Sequence, residues 1–479
     1  MNRIGRIVAT GVAFVAVLVV VGQAEDRLGT VWESWEIRKR EAQDKVSGTP
    51  EKILKLQTLE KVKPPSIDAA VAIALTAAQE EARPLVDTIF HKGRRLTVPD
   101  DFKTIQSAID SAKRGDVVVV KPGTYFELIV MKDGVKLVSD SASGGDELVT
   151  VEGARLKLPH RTLRTVIDGS KAKLSHHGMI DFNPGVGRNT VVDGFTIQNL
   201  PKQDHHIPGH AHAINMRGAS PVIVNCYVRK NGSTGIGSHV VYADQEEKIS
   251  ERDFRWANVK HRSEAVIYHN IVSENLGLGI GCNHFSCPYI LGNEVLLNND
   301  AELGEKPSPG MGAKHGAAPS IIGNIVHDNP GGGILSKVGY PQGTHQIDRP
   351  AHPTVTKNVV YHNGKLRPAI SCNGVGSMQA PVRFVGNFVY DAGHVGIGLS
   401  NGAVGILEEN IVSGSGGPGI AVNGATALKL NHNKVTGANA TGFLIVNGAK
   451  IIEMIGNVAH SNRGPRFMQR NSTIADPDG

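Results

Sequence analysis

The sequence predicts an all-β fold, a right-handed parallel β-helix solenoid with an N-terminal capping helix and a helical N-terminal extension. Three observations carry this. First, an asparagine followed two or three residues later by an apolar residue recurs as Asn225-Cys-Tyr-Val, Asn270-Ile-Val, Asn293-Glu-Val, Asn324-Ile-Val, Asn358-Val-Val, Asn387-Phe-Val, Asn410-Ile-Val, Asn433-Lys-Val and Asn457-Val-Ala. The steps from Asn387 to Asn410, Asn433 and Asn457 are 23, 23 and 24 residues. Second, a glycine-opened segment follows many of them, as at Gly235-Ile-Gly, Gly279-Ile-Gly, Gly310-Met-Gly and Gly396-Ile-Gly. Third, the segments between are short, β-branched and bounded by Gly, Asn and Pro, which reads as strand. A fixed period of this length means one supersecondary unit, repeated and stacked. One coil of three short strands and three turns fits it, and the asparagines then form a ladder of amides between coils.

Composition agrees. The chain has 479 residues with 56 glycines and only 5% aromatic residues, which suits stacked strands and tight turns. Its formal net charge of +6 permits attraction to anionic polymers. No basic run with interleaved aromatics points to nucleic acid, so none is expected as a partner. Four cysteines (Cys226, Cys282, Cys287, Cys372) are too few for a disulfide framework. Cys282 and Cys372 share one repeat position, expected to face the core as small hydrophobes.

Residues 1–24 read as a targeting segment, since Arg3 and Arg6 precede an apolar run from Ile7 to Val21 and Gly22-Gln-Ala24 offers a cleavage site. A cleaved signal peptide and a retained membrane anchor both follow from it. Either way the rest is expected to be exported, to a periplasm or the extracellular space. Residues 25–91 form a helical and linker extension. Ser66 is placed to cap a helix through Ala69-Ala-Val-Ala-Ile-Ala-Leu, which Pro84 ends. The extension suits a spacer, a packed cap or a protein-partner site.

Residues 92–464 form the predicted β-helix, with a capping segment at 96–127 and the clearest repeats at 165–464. In the capping segment Asp101 is the expected N-cap, and Phe102, Ile105, Ile109 and Ala112 make one apolar stripe at helical spacing. Gly115 stops the helix and Val117–Val120 is a buried strand. Such a helix hides the open first coil. This segment, Val98-Pro-Asp-Asp-Phe-Lys-Thr-Ile-Gln through Lys121-Pro-Gly-Thr-Tyr125, resembles the opening module of pectin-lyase-like right-handed β-helix proteins. These include pectin methylesterases, NosD-type periplasmic proteins and polysaccharide lyases. The resemblance implies the fold and leaves the chemistry open. Asp181-Phe-Asn-Pro-Gly185 is not the pectin methylesterase motif, and the polygalacturonase Asp pair is absent. Residues 465–479 are expected to be a polar tail.

In register, the repeats expose a column of polar residues just after the glycine-opened strand. It runs Arg217, His239, Asn283 with His284, Lys314 with His315, Lys337, Asn373, Ser400 and Asn423. The longest insertions (201–211, 240–263, 298–309 and 338–353) cluster around it, as loops walling a groove do. Lys337, His315, Arg217, His239 and His284 are the catalytic candidates; Lys314, Asn283 and Asn373 are the substrate-binding ones. A lysine or histidine there can take the proton beside a uronate carboxylate that a cation neutralises, giving β-elimination or C5 epimerisation. A hydrolase needs two facing carboxylates, which the column lacks. An anionic polysaccharide is therefore the expected partner. His205, His206, His210 and His212 are the metal candidates, with a divalent metal (calcium, copper or zinc) as the expected cofactor class. That second reading is a metal-handling protein similar to NosD. The third is a polymer-binding scaffold without chemistry.

Overall fold

The computed structural model describes residues 63–86, 93–142, 144–172, 178–202, 212–243, 256–299, 307–337, 350–364 and 367–475. Three parallel sheets run its length: sheet A with 15 strands, and sheets B and C with 12 each. Each coil contributes one strand to each sheet in turn. Val191–Asp193 lies in A, Thr196–Gln198 in B and Ile214–Arg217 in C, and each pairs with the same strand of the next coil. The coil of three strands predicted from the period is the coil observed. Inward Ile, Val, Met and Phe side chains stack into one core from Leu96 to Ala459.

The asparagine ladder is present and fully buried. From Asn270 through Asn293, Asn324, Asn358, Asn387, Asn410 and Asn433 to Asn457, each Nδ2 donates to the next Oδ1 at 2.9–3.0 Å. The backbone N–H of each also donates to that next Oδ1. Asn225 is not a rung. Tyr227 pairs with Ile271, so the rung position is Cys226, whose N–H donates to Asn270 Oδ1 at 2.8 Å. Asn225 instead occupies the left-handed position that precedes each rung (φ 54°), where asparagine is tolerated, and its amide donates to Asp193. The apolar residue three places on, rather than two, marks this offset.

A second ladder stands at the turn from B to C. Asn231, Asn275, Asn298, Asn329 and Asn363 are linked Nδ2 to Oδ1 at 2.8–3.2 Å. It explains the glycines that open the C strands. A Cβ at Gly235, Gly279 or Gly310 would press on a ladder amide.

At the N-terminal end, a helix does plug the first coil. This helix, Ile105–Ser111, buries Ile105, Ala108 and Ile109, and its N-cap is Thr104, not Asp101. Asp101 is spent on the preceding turn, where its carboxylate accepts from the Thr97 N–H at 2.8 Å. The extension helix spans Ile67–Val86 and Ser66 Oγ accepts from the Ala69 N–H, as expected. Pro84 lies within it rather than ending it. So close to the C-terminus a proline forfeits one hydrogen bond, and Leu85 and Val86 pack onto the solenoid.

That helix lies along the flank of the solenoid. Ala70 and Ala74 pack with Ile325, Val359, Tyr361 and Phe388, and Ala78 and Ala82 with Leu291. Alanines let the backbones approach closely: a Cβ at Gly323 (φ 64°) would collide with the Ala74 carbonyl oxygen. Beside it, an antiparallel hairpin (Leu148–Thr150 with Lys157–Pro159) covers more of sheet B. The fully buried Glu294 carboxylate ties it down, accepting from Arg155 N, Leu156 N and the His327 ring at 2.6–3.0 Å. At the other end the predicted tail is too long. Phe467–Arg470 and Thr473–Ile474 are strands of sheets C and A, because their alternation continues the pattern of the coil before.

Candidate functional site

With the middle of sheet B covered, the outer face of sheet C is where polar side chains gather. Its strands alternate strictly. In Ile214–Arg217, Ile214 and Met216 point to the core and Asn215 and Arg217 point out. The register puts the expected column in line. Arg217 pairs with His239, Lys314 with Lys337, Lys337 with Asn373, Asn373 with Ser400 and Ser400 with Asn423. Adjacent backbones are about 4.8 Å apart. The four long insertions connect B to C or C to A, so they leave and rejoin at the two borders of this face.

The column divides into clusters. The first holds Arg217 and His239 with His212, whose ring meets that of His239 edge-on with centroids 5.7 Å apart. His212 lies over Gly237, where a Cβ would strike the ring. Beside it, buried Asp181 and Asn215 pair in register and are joined at 2.8 Å. The second cluster starts on the very next rung, since Ser238 pairs with Cys282, and Lys314 follows one rung later, three rungs from Arg217. His284 and His315, both at left-handed backbone positions, stack with centroids 5.0 Å apart. Tyr242 faces the His284 ring at 3.4 Å, and Trp256 packs edge-on against Phe285. Arg217 is thus some distance from Lys314 and does not join it.

Lys314 and Lys337 stand side by side, with Arg367 at the turn that enters the next C strand, Ile370–Asn373. Lys337 is exposed while Lys314 is half-buried. Among the described residues no carboxylate pairs with Lys314 or Arg367. Burial, then the charges of Lys337 and Arg367, hold the Lys314 ammonium below the ordinary lysine pKa. Burial also lowers Arg367. An amine that loses its proton more easily, among cations able to hold an anion, is the equipment of a general base.

Sequence reading did not pick out Arg367, Asp181, Asn215 or Tyr242. Asp181 and Asn215 carried a usable signal, since they share the outward position two residues before the column. Arg367 and Tyr242 sit in turns of irregular length and carried none. Of the proposed metal ligands, His205, His206 and His210 lie outside the described residues. Among the described residues, no three His, Cys, Asp or Glu side chains converge as a metal ion requires. Cys282 and Cys372 are core residues as expected, and burial pushes the Cys372 thiol up to about 12.

This architecture is that of the pectin-lyase-like right-handed β-helix superfamily, and residues 342–475 match the model for a right-handed β-helix region. More particularly, the chain belongs to the family described as protein of unknown function (DUF1565), whose model matches residues 97–339, about half its length. No curated protein matches the sequence. Three solved structures are among those to which the chain is similar. The A-module of the mannuronan C-5 epimerase AlgE4 from Azotobacter vinelandii is 13% identical, covering 82% of this chain and 99% of that one, with a TM-score of 0.42. The catalytic unit of a GH87 α-1,3-glucanase from Streptomyces thermodiastaticus is 12% identical, covering 82% and 70%, with a TM-score of 0.49. The surface protein and adhesin PfbA from Streptococcus pneumoniae is 13% identical, covering 82% and 99%, with a TM-score of 0.40. At such identities the likeness concerns the fold alone.

Proposed function

We propose that this is an exported protein that binds an anionic polysaccharide along the outer face of sheet C and processes it by uronate chemistry. The observation that carries this reading is the Lys314, Lys337 and Arg367 group. Lys314 and Arg367, both partly desolvated and with no acidic partner among the described residues, are costly to keep charged unless an anion completes them. A uronate carboxylate seated on Lys337 and Arg367 supplies that anion. Bound there, it places its C5 hydrogen within the reach of neutral Lys314. Lys314 takes the proton while the adjacent cations stabilise the charge that develops on the carboxylate. In a lyase the C–H electron pair becomes the C4=C5 double bond, the C4–O bond breaks, and the departing oxygen takes up a proton. In an epimerase the proton returns to the opposite face of C5. His315, next to Lys314 along the chain, is the ring group placed to supply it.

The test is a panel of uronate polymers incubated with the purified protein. A lyase raises ultraviolet absorbance as unsaturated ends form. An epimerase instead exchanges the C5 hydrogen with deuterated solvent. Neither signal from any uronate polymer that binds would leave a scaffold in place of an enzyme.

The position of His212 favours a second reading, in which the stretch from His205 to His212 binds a divalent metal beside the groove. His212 lies on the outer face of sheet C with its ring against that of His239, which offers two imidazoles side by side. Mass spectrometry of protein purified without a histidine tag is expected to find about one copper or zinc per chain, lost in a His210→Ala/His212→Ala variant. A metal-free chain, or one carrying only calcium, rules this second reading out.

A further inference from the structure

The outward column changes character halfway. Up to Lys337 and Arg367 it is cationic. Beyond them, residues 370–381, 392–404, 414–428 and 437–449, which form the remaining C strands but the last and the turns at their borders, contain no Asp, Glu, Lys or Arg. What they present is amide and hydroxyl. Asn401 Nδ2 donates to Asn373 Oδ1 at 3.2 Å, and Asn447 Nδ2 donates to Asn423 Oδ1 at 2.7 Å, both at the surface. Each pair uses one donor and one acceptor. It leaves the Nδ2 of Asn373 or Asn423 and the Oδ1 of Asn401 or Asn447 facing outward with no partner among the described residues. Next to them the turn after Asn373 exposes Val375 (67%) and Met378 (53%).

A paired donor and acceptor beside an apolar edge fits a neutral sugar. Vicinal hydroxyls accept and donate in the same plane, and the C–H face of a pyranose ring packs on an aliphatic surface. A carboxylate gains nothing here, since no cation meets it. The pairs recur along the solenoid, whose coils rise by about 4.8 Å. An extended pyranose chain advances by a similar length per unit, so such a chain laid along the axis meets these coils unit by unit.

We infer that the ligand is a mixed polysaccharide: acidic units lie on the Lys314, Lys337 and Arg367 half, and neutral units lie on the Asn373, Asn401, Asn423 and Asn447 half. A homopolymer of uronic acid would waste the second half and bring uncompensated charge onto it. This inference rests on the reading that the same face holds an acidic polymer, and it narrows that polymer's composition.

The experiment measures calorimetric binding of the full chain to two oligosaccharides of equal length, about eight units. One is a homouronate and the other has an acidic half joined to a neutral half. A uronate tetramer serves as a third ligand. The mixed oligosaccharide is expected to bind about tenfold more tightly than the homouronate octamer. An Asn423→Ala/Asn447→Ala variant should lose that advantage and still bind the tetramer within about twofold, because Asn423 stands three rungs beyond Lys337 and each exposed amide hydrogen bond is worth a modest amount. Circular dichroism checks that the variant folds. If the homouronate octamer binds as well as the mixed one, the inference is overturned while the acidic-polymer reading stands. If neither acidic ligand binds at all, both fall.

Discussion

Replacing Lys314 by methionine is expected to abolish turnover and at the same time stabilise the protein. Methionine keeps the length and apolar body of the lysine stem. The variant therefore removes a half-buried ammonium that lies beside Lys337 and Arg367 with no acidic partner among the described residues. Removing a general base costs about 10²–10⁴-fold in rate. Relieving the desolvated charge returns stability at neutral pH. The pH dependence follows from the sign of the shift. Lys314 in the folded protein titrates below an ordinary lysine. Between its folded pKa and the unfolded value, the unfolded chain binds more protons, so wild-type stability rises with pH across that window. The methionine variant lacks this rise. The two melting curves should differ most below the folded pKa of Lys314 and converge towards the unfolded lysine value. Turnover should climb with pH through that same folded pKa. Lys337→Met should shift this climb upward, because one repelling charge has gone. A Lys314→Met protein that turns over normally, or that is less stable at pH 7, would sink the assignment of Lys314 as a strained base.

The repeat was legible because its physics is local. A rung asparagine must sit one residue after a left-handed position and one before a strand, so Asn270, Asn324, Asn358 and Asn410 announce themselves at fixed offsets. The same logic placed Arg217, His239, Lys314 and Lys337 on one outward line, since a strand side chain can face only two ways. What escaped was set by tertiary contact. Asp101 has the chemistry of an N-cap, but its carboxylate was taken by Thr97, leaving the cap to Thr104. Nothing local in the alanine-rich helix says that it packs beside Gly292 and Gly323 rather than extending to a partner. The division of labour between the two lysines was equally invisible. Their difference in exposure is set by tertiary packing, which the repeat does not encode. The second ladder, Asn275, Asn298, Asn329 and Asn363, was within reach of sequence. Each lies five residues after a rung of the first.

Replacing Asn358 by leucine is expected to cost about 3–5 kcal/mol, far more than the same change at Asn457. Asn358 is fully buried at the centre of the ladder. Its Oδ1 accepts from Asn324 Nδ2 and Asn324 N at 2.9 Å, and its Nδ2 donates to Asn387 Oδ1 at 3.0 Å and to the carbonyls of Ile321 and Thr356 at 2.9 and 3.1 Å. Leucine fits the space but leaves these groups buried and unsatisfied, each at a cost of about 1–3 kcal/mol before relaxation. Asn457 is the last rung. It accepts from Asn433 and donates to Leu430 O, with no further asparagine to bridge, so its loss should cost only about 1–2 kcal/mol. In a solenoid each coil leans only on its neighbours, so a central defect also divides the cooperative unit. Thermal unfolding of Asn358→Leu should therefore broaden or split, and hydrogen exchange should quicken in the coils around Ile325–His327 and Val359–Tyr361. Those coils also carry Lys337 and Asn373, and the coil before them carries Lys314. Lys314 and Lys337 stand one rung apart with the ladder on the far side of the coil, so the proposed activity should fall with the melt rather than independently of it. Equal losses at Asn358 and Asn457 would show instead that the apolar core alone sets the spacing, and that the amides add little.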